Sequence, residues 1–98
     1  MIDIVAFIQP KPEKFAHCRR LITEILAPTL LEEGCKRFEL FTENNNTLVL
    51  VETFESQEAL DFHYNQDYVK SVFAEYEFAL EKEPEIHKLL RVNDDSKH

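Results

Sequence analysis

Ninety-eight residues, 44% of them hydrophobic and 31% charged, describe an ordinary folded domain that buries roughly 60–65% of its unfolded surface. A formal net charge of −8 argues against nucleic acid as a partner, because phosphate binding draws on clustered Lys and Arg. No run approaches the ~18 apolar residues of a membrane span, and one Gly and four Pro leave no room for a phosphate-cradling glycine loop.

The first residues enter a strand directly, without the basic and apolar regions of a signal peptide, so a cytoplasmic location is expected. That strand, Ile2 to Gln9, is apolar on both faces: Ile2, Ile4, Ala6 and Ile8 on one, Val5 and Phe7 on the other. Pro10 and Pro12 end it, since proline lacks the N–H that a ladder needs. From Glu13 the period becomes helical, with Phe15, Cys18, Leu21, Ile22, Ile25 and Leu26 as a core-facing stripe. Pro28 is expected to end or kink this helix near Leu26, with room for a further turn over Thr29, Leu30 and Leu31 before Gly34 stops it.

Cys35 to Phe41 reads as the second strand, with Phe38 and Leu40 opposing Cys35 and Phe41. Glu43-Asn44-Asn45-Asn46 reads as a hairpin loop, because Asn tolerates left-handed backbone. The third strand, Thr47 to Phe54, is again apolar on both faces. Ser56 is placed to cap a helix carrying Ala59, Leu60 and His63, with Glu58 in its first turn. Asn65-Gln66-Asp67 breaks it, and Asp67 is expected to cap a second helix whose apolar stripe is Val69, Val72, Phe73, Tyr76 and Leu80. Pro84 precedes a last strand, Ile86 to Val92. Residues 1–93 thus form one domain and residues 94–98 a polar tail.

Strand, helix, two strands, helix pair and strand make the α+β, ferredoxin-like βαββαβ plan, an antiparallel sheet with helices on one face. One helical layer covers one sheet face. The other, with Val5, Phe7, Val49 and Val51, is expected to pair with a second copy of the chain as a homodimer.

Two polar groups stand where apolar ones belong. Glu52 shares a strand face with Leu48, Leu50 and Phe54, and His63 lies on the inner face of its helix. A carboxylate and an imidazole aimed at one space suggest a pocket for a small molecule. His63 is the candidate acid or base near neutral pH, and Glu52 the carboxylate that orients it. The plainer alternative is a buried histidine locking strand to helix, with Glu52 in an ion pair with Arg37 or Arg91. Tyr64, Tyr68 and Tyr76 are candidate pocket hydroxyls, Phe54 and Phe73 a candidate apolar wall, and Arg91 a candidate ligand contact. His17, His63, His87, Cys18 and Cys35 share no short ligand spacing, so no metal site is expected. Neither cysteine belongs to a CxxC pair, and a reducing compartment needs no disulfide from them.

Ala27-Pro28-Thr29 leading to Glu33-Gly34-Cys35, and Glu52-Thr53-Phe54-Glu55-Ser56 followed by Glu58-Ala59-Leu60-Asp61 and His63, resemble two segments of the antibiotic biosynthesis monooxygenase superfamily. The similarity is clearest to its quinol-monooxygenase-like members and covers nearly the whole chain. Phe54 stands where the family usually has tryptophan. The resemblance implies a dimeric α+β barrel and a monooxygenase that needs no cofactor, metal or flavin, acting on a small aromatic or quinol-like substrate. His63 would then take the phenolic proton. An isomerase of a small carbonyl compound and a non-catalytic ligand-binding dimer are the alternatives that the superfamily also implies.

Overall fold

The computed structural model describes residues 1–92; the expected polar tail over residues 94–98 lies outside the described residues. Strand β1 (Ile2–Ile8) is followed by a single 3-10 turn at Pro12–Lys14 and then by α1 (Phe15–Leu30). The hairpin β2 (Cys35–Glu43) and β3 (Thr47–Phe54) precedes α2 (Gln57–Tyr64), α3 (Asp67–Ala79) and β4 (Glu85–Leu89). The strands lie in the order β2-β3-β1-β4 with every neighbour antiparallel. This is the α+β ferredoxin-like plan: one four-stranded sheet, open at both edges, with its helices on one face. Among the described residues no helix is long and apolar enough to cross a membrane.

Register places the inner face. Ile4 pairs with Glu52, Ala6 with Leu50 and Ile8 with Leu48, and all six are buried. Against them α1 packs Cys18, Ile22 and Ile25, α2 packs Leu60, and α3 packs Val72 and Ala79. The outer face carries Val5 opposite Val51 and Phe7 opposite Val49, all half-buried although no helix lies over them.

Several local expectations are corrected by packing. Helix α1 runs through Pro28 to Leu30, because a proline in the last turn sacrifices a single N–H bond and the helix ends before more are lost. The Leu31 N–H closes that end on the carbonyls of Ala27 and Pro28, both at 3.2 Å. Gly34 has no positive φ, so it is not a left-handed helix stop. Its role is close approach: a Cβ there would come 2.3 Å from the Ala59 Cβ, and its carbonyl accepts the Glu55 N–H at 2.8 Å.

A bulge between Cys35 and Arg37 shifts the strand parity, so Cys35, paired with Phe54, shares the inner face with Phe38 instead of opposing it. Asp67 is the first residue of α3 rather than its cap; Gln66 holds the cap position and makes no side-chain cap bond. Strand β4 stops at Leu89, leaving Leu90 and Val92 exposed beyond it. At the hairpin the Asn reading fits: Asn44 and Asn45 have φ of 54° and 59°, and the Asn46 N–H reaches the Glu43 carbonyl at 3.2 Å.

Candidate functional site

Strand β3 and helix α2 carry the centre of the site. Ser56 Oγ accepts the Ala59 N–H at 3.1 Å, which starts α2 in the phase that turns Leu60 and His63 inward. His63 is 3% exposed, and its ring is boxed by Phe54 at 5.0 Å, Phe38 at 5.3 Å and Tyr64 at 5.7 Å between centroids.

The carboxylate on the imidazole is Glu32, not Glu52. Nδ1 lies 3.0 Å from Glu32 Oε2 and 3.2 Å from Oε1, in a pair whose side chains are 3% and 4% exposed. The Tyr68 hydroxyl of α3 donates a short bond to the same Oε2. With Nδ1 as the donor to this carboxylate, the second ring nitrogen, Nε2, is left without a hydrogen bond among the described residues. Burial, reinforced by the Glu32 bond and charge, pushes the Tyr68 hydroxyl up, which keeps it a donor. The end of α1, α2 and α3 are thereby tied at one corner.

Glu52 faces the same space without such support. It sits mid-sheet between Ile4 and Phe38, is 6% exposed, and its Oε1 has no hydrogen-bond partner among the described residues. Burial pushes its carboxyl up to about 7. The ion-pair alternatives are also excluded: Arg37 bonds Glu39, and Arg91 forms a two-pronged pair with Asp3 at 2.6 and 2.9 Å. Asp3 belongs to the outer face, so Arg91 is not a wall of the pocket.

Between sheet and helices lies a narrow cavity of about 40 Å³, lined by Glu52, His63, Tyr64, Val72, Phe73 and Tyr76 among others. It has room for about two or three waters. Phe73, Tyr76, Pro84 and Ile86 also line a wider groove of about 500 Å³ that continues outward between α3 and β4. Four side chains thus form a throat between a polar inner end and an open mouth that Glu77, Lys82 and Glu83 also line. Burial first, then nearby negative charge, raises the hydroxyls of Tyr64 and Tyr76, so both stay protonated donors. Cys35, whose thiol burial pushes up to about 11, and Cys18 are free and buried, which leaves them poor nucleophiles.

Of the residues singled out from sequence, His63, Glu52, Tyr64, Phe73 and Tyr76 meet around this cavity, Phe54 backs the imidazole, and Arg91 stands apart. Sequence reasoning missed Glu32. The signal was present: Cys18, Ile22, Ile25 and Thr29 form the buried stripe of α1, and position 32 continues its 4-3-4-3 spacing.

An open ferredoxin-like sheet with an imidazole–carboxylate pair beneath its helices defines a small α+β domain with a cavity between sheet and helices. The chain belongs to the antibiotic biosynthesis monooxygenase family, whose sequence model matches residues 1–88. It is 32% identical over 63 residues to Rv0793 of Mycobacterium tuberculosis, a candidate monooxygenase, in a stretch spanning 63% of this chain and 62% of that one. The solved structure of Rv0793 superposes with a TM-score of 0.89 at 24% identity, covering 96% of this chain and 97% of that chain. A conserved protein of Methanosarcina mazei Go1 gives a TM-score of 0.85 at 33% identity, covering 92% and 91% of the two chains.

Proposed function

We propose that the protein is a monooxygenase that oxidises a small aromatic, quinol-like molecule without a cofactor, using His63 as base. The observation that carries this reading is the buried His63–Glu32 pair, which leaves Nε2 with no bonding partner among the described residues while the ring lines an apolar cavity. Family membership supports the reaction class. Nε2 would take a hydroxyl proton from a dihydroxynaphthalene, leaving an electron-rich naphtholate. That anion passes an electron to O₂, the two radicals join as a ring hydroperoxide, and loss of water leaves a hydroxynaphthoquinone. The substrate supplies all four electrons that O₂ takes, two from the quinol and two from the ring C–H, and the proton held on His63 leaves with the water. Glu32 holds the imidazole in place and stabilises its charged form, with Tyr68 holding Glu32.

The proposed protein is a cytoplasmic homodimer, paired through Val5, Phe7, Val49 and Val51, which would close two open sheets into a dimeric α+β barrel. Exposed Phe41 and Leu89 on the same face, at 43% and 48%, support this. Light scattering should return twice the 11.6 kDa chain mass; a stable monomer would contradict it. For the reaction, O₂ uptake with menadiol, corrected for autoxidation, should disappear in His63→Ala. Undiminished uptake would remove His63 from the mechanism. A second reading, ligand binding without turnover, is favoured by the inner cavity of about 40 Å³, which is too small for a naphthalene ring unless the throat side chains move. Menadione binding without menadiol oxidation would select it.

A further inference from the structure

The cavity lining includes a carboxyl, Glu52, that the proposed base chemistry does not use. We propose that Glu52 is a direct contact of the bound molecule: its carboxyl O–H donates to a carbonyl oxygen of the ligand. The site would therefore take quinone-type or hydroxyketone aromatics over hydrocarbons of the same shape. This rests on the small-aromatic reading of the same cavity.

Geometry carries the argument. Glu52 stands at the centre of the inner sheet face with Ile4 on one side and Phe38 on the other, so neither neighbouring strand offers it a polar side chain. It is 6% exposed and lines the cavity with His63. Its Oε1 is buried without a hydrogen-bond partner among the described residues. The titratable groups facing it are His63 and Tyr64 of α2, Tyr76 of α3 and Cys35 of β2, and the cavity lining includes no Lys or Arg. With no cation to hold it, a carboxylate here would be a desolvated, unpaired charge, and the group becomes a neutral acid instead. Burial moves its ionisation up to about 7 accordingly. A neutral carboxylic acid in an apolar pocket is a hydrogen-bond donor in need of an acceptor. His63 is not that acceptor, since the cavity-facing pair shares no hydrogen bond and Nδ1 is committed to Glu32. A ligand oxygen entering through the throat satisfies Glu52, whereas an aromatic hydrocarbon leaves it unpaired.

The test is equilibrium binding of menadione and of 2-methylnaphthalene, without O₂, to the wild type, Glu52→Gln and Glu52→Leu. The glutamine keeps a donor and the leucine removes it. Menadione should bind the wild type and Glu52→Gln comparably at about pH 6 and lose roughly tenfold in Glu52→Leu, while 2-methylnaphthalene does not weaken. From about pH 6 to about pH 9 menadione affinity should fall in the wild type and stay level in Glu52→Gln, which retains His63 and both tyrosines. Unchanged menadione affinity in Glu52→Leu, equal loss of both probes, or parallel pH profiles would each overturn the inference. If the leucine variant does not fold, the two pH profiles decide alone. Menadione binding that depends on Glu52, without O₂ uptake on menadiol, would retire the oxygenase reading and leave this one standing.

Discussion

Glu32 and Glu52 are almost equally buried, 8% and 6% exposed, yet the regions that hold them differ completely. The corner where α1 ends gives Glu32 two donors, one from His63 and one from Tyr68. The middle of β3 gives Glu52 apolar neighbours and an empty hydrogen-bonding position. Burial alone therefore does not decide what a carboxyl does; the donors around it do. One region fixes a ring in space, and the other leaves a proton facing the cavity.

The sharpest way to break this comparison is Glu32→Ala, which strips both donors of their acceptor inside the core. A loss of about 3–5 kcal/mol is expected by urea denaturation, with O₂ uptake lost as well. Next comes the pH dependence of Glu52. Its folded carboxyl, at about 7, lies above the ordinary 4.5, so the folded state binds the extra proton between those values. The stability it contributes is complete below pH 4.5 and is lost as pH rises through 7, a decline on the order of a few kcal/mol. Melting temperatures across that window should fall more steeply for the wild type than for Glu52→Gln.

Tyr68→Phe removes one of the two donors to Glu32 and should cost about 1–2 kcal/mol, lowering turnover of menadiol far less than Glu32→Ala does. Arg91→Ala should move least, within about 1 kcal/mol, because its guanidinium is half-exposed on the outer face. Arg91, through its bond to Asp3, holds that carboxyl down to about 2, so the stability involved is present above 3.8 and lost as pH falls towards 2. Menadione affinity should be untouched by this change.

The stretch from Thr47 to Tyr64 was legible from the sequence because its signals are local. Alternation defines β3, Ser56 marks the start of α2, and spacing alone puts Glu52 and His63 on inner faces. The partner of His63 was not legible in the same way. Glu32 lies 31 residues away, and linking it to the imidazole requires knowing that α1 passes through Pro28 with its buried stripe still in phase. The bulge after Cys35 and the pairing of Arg91 with Asp3 are likewise products of strand register, which no single segment encodes.

The division of roles between the two carboxyls is tested most directly by a ¹³C NMR titration of the glutamate side-chain carboxyl carbons, with Glu52 assigned by its absence in Glu52→Gln. One resonance should titrate near 7 and vanish in the variant. If Glu52 instead titrates near the ordinary 4.5, it is a carboxylate at neutral pH, and the cavity has no proton donor of its own at that position.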